Sequence, residues 1–146
     1  MKIAIASDHA GYQLKAQLMA ALPEYEFTDF GTYGETSMDY PDTALPAAKA
    51  VADGICEKGI LICGSGIGMS ISANKVSGIR AALCTNTDVA RLSRQHNDAN
   101  VLCLAARFTA FHYALSIAKA WLDTDFEGER HQNRINKIKK IEEDQR

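Results

Sequence analysis

Five short apolar runs, each followed by a stretch of helical spacing, constrain this chain more than any other feature of its sequence. Lys2–Ser7, Glu26–Phe30, Gly59–Cys63, Ile79–Cys84 and Asn100–Leu104 have strand length and are mostly rich in Ile, Val, Leu and Cys, which suits strands covered on both faces. Tyr12–Leu22, Thr43–Ala52, Met69–Asn74, Thr87–Gln95 and Ala110–Leu122 carry the helical pattern between them. A last helix runs from Gln132 to about Glu143, with Ile135, Ile138 and Ile141 at intervals of three. Asp42 or Thr43 and Thr109 suit N-caps, and Pro46 is placed in a first turn, where a missing N–H costs nothing. Strict alternation of this kind predicts an α/β fold, a three-layer αβα, Rossmann-like arrangement around a five-stranded parallel sheet with right-handed crossovers. The commonest order is flavodoxin-like, 2-1-3-4-5, with its switch point between strands 1 and 3. The 146 residues are read as a single domain, 1–146, closed by a helical extension from about residue 124.

Composition narrows the function classes. The chain is 47% hydrophobic and 23% charged, enough for an ordinary core without metal or disulfide staples. A net charge of -2 gives no field to attract nucleic acid or an acidic membrane surface. No apolar stretch reaches the roughly 18 residues of a spanning helix. The alternating start Met1–Ala6 is too short for a secretory leader, so the chain reads as cytoplasmic. Cys56, Cys63, Cys84 and Cys103 form no Cys-x-x-Cys pair, so neither a zinc site nor a redox motif is expected.

In doubly wound sheets, ligands bind beyond the carboxyl ends of the strands near the switch point. Two segments fall there: Asp8-His9 after strand 1, and Cys63-Gly64-Ser65-Gly66-Ile67-Gly68 after strand 3. Three glycines in five positions bare backbone N–H groups at the start of a helix, a setting for a phosphate or a reaction oxyanion; a plain tight turn is the other reading. The dinucleotide fingerprint fails because Met69 stands where its last glycine belongs, and the lysine of a P-loop is missing. Cys63 borders this loop, where neighbouring N–H groups favour thiolate and equip it as nucleophile or base; otherwise it simply finishes a buried strand. Arg130 and Arg134, four apart on a helix, project about 6 Å from each other and suit a phosphate, or they are solvated surface arginines. Arg107, just past strand 5, is a third candidate. His96 falls by topology at the amino ends of the strands, opposite the crevice. It is either structural or serves the site of a second subunit.

Together these segments resemble the type B ribose-5-phosphate isomerases and the related galactose-6-phosphate isomerase subunits, over essentially the whole chain. The resemblance rests on Ser7-Asp8-His9-Ala10-Gly11, Asp39-Tyr40-Pro41, Ile62 to Gly68, Ala73-Asn74-Lys75, Gly78-Ile79-Arg80-Ala81, Ser93 to Asn100 and Gly128-Glu129-Arg130-His131. It implies that Cys63 is the general base moving a proton between C2 and C1, and that backbone N–H groups from Gly64 through Gly66 and Ile67 to Gly68 stabilise the enediolate. Ser65, where Thr is usual, would assist proton movement between O1 and O2. Asp8 and His96 would open the furanose ring, Asn97 and Tyr40 would orient the sugar, and His9, Arg107, Arg130 and Arg134 would hold the phosphate. The resemblance further implies no metal and no organic cofactor. It also implies a homodimer, or paired dimers forming a tetramer, with each site shared between subunits and the arm from about 124 contributing. Ala105-Ala106-Arg107 departs from the usual Gly-x-Arg, which leaves the setting of Arg107 open.

Two competing readings remain. One is isomerisation of another sugar ester, such as allose 6-phosphate, galactose 6-phosphate or a tetrose phosphate. Another is a flavodoxin-like module that binds a phosphorylated ligand without chemistry. A thiol phosphatase is rejected, because its Cys-x5-Arg cradle would need arginine where Met69 stands.

Overall fold

The computed structural model describes residues 1–145. In chain order the elements are β1 (Lys2–Ser7), α1 (Tyr12–Ala21), β2 (Glu26–Asp29), α2 (Pro41–Ala52), β3 (Lys58–Cys63), α3 (Ile67–Ala73), β4 (Ala81–Leu83), α4 (Thr87–Gln95), β5 (Val101–Ala105), α5 (Phe111–Leu122) and α6 (Arg130–Asp144). All strand pairs are parallel. Alternate residues of the central strands feed two cores. Ile3, Ile5, Ile60, Ile62, Leu102 and Leu104 pack with Leu14 and Leu18 of α1 and Ile117 and Trp121 of α5. Ala4, Ala6, Leu61, Val101 and Cys103 pack with the alanines of α2 and with Met69 of α3. The pleat therefore puts only branched side chains on one face, while β1 offers Ala4 and Ala6 to the other, where the alanines of α2 can lie close to the sheet.

The sheet order is β2-β1-β3-β5-β4, which corrects the expected 2-1-3-4-5. Burial explains the exchange. All five residues of β5 are buried, as the position between two strands and under two helix layers requires. Only Ala81–Leu83 of the expected strand Ile79–Cys84 pair, and all three are half-buried, so β4 takes the edge. The amide of Asn74 accepts from the Ala81 N–H (2.8 Å) and donates to its carbonyl (3.0 Å), occupying part of that open edge.

Helix starts also differ from expectation. Pro41 opens α2, its fixed φ and missing N–H both suiting a first position, so neither Asp42 nor Thr43 is the cap. The Thr43 hydroxyl instead donates to the Ser7 carbonyl (3.0 Å), tying α2 to the end of β1. Pro46 consequently lies inside the helix, on its exposed side, where water can serve the carbonyl left without a partner. Extended Ala110, not Thr109, precedes α5, with no side-chain cap. Helices α3 and α6 each begin two residues earlier than the pattern predicts, at Ile67 and Arg130. No helix among the described residues is long and apolar enough to cross a membrane.

Candidate active site

Two loops meet at the carboxyl ends of β1 and β3 because glycine allows it. The Asp8 N–H donates to the Ile62 carbonyl (3.1 Å), and the Gly11 N–H donates to the Asp8 carboxylate (3.0 Å). A Cβ on Gly11 would stand 2.6 Å from that same Ile62 oxygen, so the loop after β1 lies on β3 with no room for a side chain. Gly66 is the second such place. Its φ of 75° is left-handed, and a Cβ there would meet Leu83 Cδ1 at 2.5 Å. The loop consequently turns sharply out of β3 into α3, whose first N–H groups have no acceptor within the helix. The Ile67 N–H points to the Ser65 hydroxyl oxygen at 3.3 Å.

The exchange of strand order decides what stands beside this loop. With β5 next to β3, the Ala106 N–H donates to the Cys63 carbonyl (2.9 Å) and the Arg107 N–H to the Gly64 carbonyl (3.0 Å). The Arg107 side chain passes over Gly64, whose Cβ would sit 3.1 Å from Arg107 Cδ. On the other flank the Tyr40 ring lies against Gly68, where a Cβ would come within 2.6 Å of it. The result is a cavity of about 430 Å³ lined by Asp8, Tyr40, Cys63, Gly64, Ser65, Ile67, Gly68, Ile71, Arg107 and Phe108, a volume suited to a small organic ligand. Asp8 and Cys63 are buried at its floor, while Ile71 and Phe108 are exposed at its mouth. His9 stands beside this group with Nδ1 accepting the Met38 N–H (3.2 Å), which leaves its other nitrogen to carry the ring proton.

The remaining expected residues form a second group, away from the cavity. His96 ends α4 and Asn97 follows it, ahead of β5 and hence at the amino ends of the strands. Arg130 and Arg134 lie on α6, both exposed. The structure thus joins Asp8, Tyr40, Cys63 through Gly68 and Arg107 in one subunit, and keeps His96, Asn97, Arg130 and Arg134 apart from them. Asn97 borders a different cavity, also about 430 Å³, between α6 and β4, with Ile79, Ile138 and Ile141. That one contains no thiol or histidine.

Sequence reasoning gave no role to His131, yet it is the centre of the second group. Its ring stacks on His96, with centroids 4.3 Å apart and planes 14° from parallel. Arg134 Nη1 approaches His131 Nδ1 at 3.3 Å, and Glu127 Oε2 approaches Nε2 at 3.6 Å. An arginine only donates, so Nδ1 accepts and the ring proton sits on Nε2, toward Glu127. Burial pushes the His131 imidazole below the ordinary histidine value, with His96, Arg130 and Arg134 acting in the same direction and Glu127 against them. The donor atoms of His96, Glu127 and His131 lie within 4.8 Å of one another. Stacked rings, however, send their lone pairs side by side rather than toward one point, which does not suit a tetrahedral ion. The signal available in the sequence was an imidazole one residue past Arg130, opening the final helix.

Residues 3–138 match the family described as Ribose/Galactose Isomerase. This chain belongs to that family. It is 47% identical over 144 residues to ribose-5-phosphate isomerase B of Escherichia coli, covering 97% of each chain. Among solved structures it superposes on ribose-5-phosphate isomerase B of Clostridium thermocellum with a TM-score of 0.98, at 52% identity and full coverage of both chains. The ribose-5-phosphate isomerase B of Mycoplasma genitalium, solved with bound ribulose-5-phosphate, matches at a TM-score of 0.93 and 42% identity, over 97% of this chain and 96% of that one.

Proposed function

We propose that this chain interconverts ribose 5-phosphate and ribulose 5-phosphate through an enediolate, with Cys63 as the general base. The observation that carries the reading is Cys63 itself: a free thiol at the floor of the cavity, across from Asp8 and beside a loop of bare backbone N–H groups. Family relatives that carry this activity in their names support the substrate. The furanose opens when Asp8 takes the proton of the anomeric hydroxyl and His96 gives one to the ring oxygen; the C1–O4 bond breaks and C1 becomes the aldehyde. Cys63 thiolate then removes the C2 proton, and N–H groups of Gly64 to Gly68 stabilise the enediolate oxygen. Cys63 returns the proton to C1 while Ser65 assists the hydroxyl proton from O2 to O1, leaving the ketose. Tyr40 and Asn97 orient the sugar, and His9, Arg107, Arg130 and Arg134 hold the phosphate. These steps call on fixed dipoles and side chains, with no cofactor.

His96 and Asn97 reach such a site only from a second copy, so the working unit is a homodimer with two shared sites. The exposed apolar rim of Ile67, Ile71 and Phe108 suits cover by that copy. Four free cysteines suit the reducing cytoplasm. The decisive assay is turnover of ribose 5-phosphate by purified protein and by Cys63→Ala, beside allose 6-phosphate, galactose 6-phosphate and a tetrose phosphate. Rapid conversion of the pentose ester, abolished in the variant, is the expected result. Faster conversion of another ester would replace the substrate but keep the mechanism. Binding without turnover would reduce the chain to a sugar-phosphate-binding module.

A further inference from the structure

The backbone around His96 is pinned from several sides, yet nothing of the kind holds its ring. Buried Arg94 donates from Nε to the Thr124 carbonyl (3.1 Å) and from Nη1 to Asp98 Oδ1 (2.9 Å) and the Ala99 carbonyl (2.7 Å). Arg80 donates to the Asp98 carbonyl (2.9 Å), and the Glu127 N–H donates to the Gln95 carbonyl (3.1 Å). The turn that carries His96 is therefore fixed against the segment leading into α6. Among the described residues no hydrogen bond orients the His96 imidazole, and its one ring contact is the stack on His131. His131 is itself 3% exposed and held at Nδ1 by Arg134, with the Glu127 carboxylate a charged neighbour 3.6 Å from Nε2.

We propose that His131 is the positioning residue for ring opening, its anchored imidazole fixing the plane in which His96 presents its proton to the substrate's ring oxygen. The inference rests on the role given above to His96. A bare histidine rotates about two side-chain bonds, and proton transfer tolerates little misplacement. Stacking removes that freedom without occupying either nitrogen of His96. Burial lowers the His131 pKa, which works against a second charge under His96 that would repel an imidazolium. Arg134, offered above as a phosphate ligand, is the same residue that anchors His131. Phosphate binding and ring-opening geometry thus share one side chain.

Two readouts separate this role from a structural one. Ribulose 5-phosphate is acyclic, because its C5 oxygen carries the phosphate, so exchange of its C1 protons with deuterium oxide needs Cys63 but no ring step. His131→Ala is expected to lower kcat for ribose 5-phosphate by roughly 10- to 100-fold, in line with a misplacement of about 1 Å. Its KM and the exchange rate should stay within about twofold. His131→Phe, which keeps a flat ring under His96, should recover most of the lost kcat. Wild-type kcat in His131→Ala, equal loss of isomerisation and exchange, or a Phe variant as impaired as the Ala variant would each overturn the proposal. If His131→Ala does not fold, Glu127→Gln, on an exposed side chain, serves instead; kcat should fall several-fold with exchange intact, and unchanged kcat refutes the role. His96→Asn and Cys63→Ala run alongside. Persistent exchange in Cys63→Ala, or full isomerisation in His96→Asn, would count against the parent mechanism rather than against His131.

Discussion

Replacing Gly68 by alanine tests whether the position of Tyr40 matters for the chemistry. Gly68 lies in the first turn of α3, and its missing side chain is where the Tyr40 ring rests. A Cβ built there stands 2.6 Å from both Cε1 and Cζ of Tyr40 and 2.9 Å from Cδ1. Ordinary carbon–carbon contact needs about 3.5–4.0 Å, so the ring must retreat by roughly 1 Å. Tyr40 is 40% exposed, which gives the ring room to retreat toward solvent. Glycine is worse than alanine in a helix by about 1 kcal/mol, and that gain offsets much of the strain. Stability should accordingly change by less than about 1 kcal/mol, while kcat/KM for ribose 5-phosphate falls about 10- to 100-fold, the usual penalty for a misplaced substrate-orienting group. The assay is a double-mutant cycle with Tyr40→Ala, scored by steady-state kinetics and thermal melting. Once Tyr40 is gone, Gly68→Ala should add little. If Gly68→Ala keeps more than half of wild-type kcat/KM, or if its effect multiplies fully onto that of Tyr40→Ala, the reasoning is refuted.

Gly66→Ala should act on stability instead, since it combines a left-handed backbone, about 1–2 kcal/mol, with overpacking against Leu83 and Leu104, about 1–3 kcal/mol; a thermal midpoint within about 2 °C of wild type would contradict this. Mixing inactive Cys63→Ala and His96→Asn subunits should restore about a quarter of wild-type activity, because half of randomly formed dimers are mixed and each then holds one intact site; no recovery after verified exchange would place both residues in one subunit. The depressed pKa of His131 means the unfolded chain binds its proton more readily than the folded one. Its stabilising contribution is therefore complete above the unfolded value of about 6.5 and is lost as pH falls toward the folded value. Melting at pH 7.5 and 5.5 should show this loss, and the loss should shrink in His131→Phe.

The strands were legible because burial on both faces leaves an unmistakable residue pattern: Lys2–Ser7 matches the expected strand to the residue, and β3 differs by one position. Strand order was not, since it depends on a comparison between runs. Val101–Ala105 outranks Ala81–Leu83 only when both compete for the same central place. Cap choice failed for a related reason, as Pro41 at a first helical position overrode the side-chain logic that favoured Asp42 and Thr43. The first half of the site followed from topology, because Asp8 and Cys63 end strands that flank the switch point. The His96–His131 stack joins the end of α4 to the start of α6, and no local spacing announces a contact of that kind.

The place of β5 between β3 and β4 also sets a schedule for the growing chain. β2, β1 and β3 can assemble in nearly the order they are made, each finding a neighbour already present. β4 cannot, because among the described residues its only partner strand is β5, made later. During synthesis the three residues of β4 and the amphipathic α4 behind them must wait, unpaired, for Val101–Ala105 to emerge and fill the gap beside β3. The exposed interval is short. It ends when one wholly apolar strand docks, and that same event brings Arg107 beside Gly64 and closes the wall of the cavity.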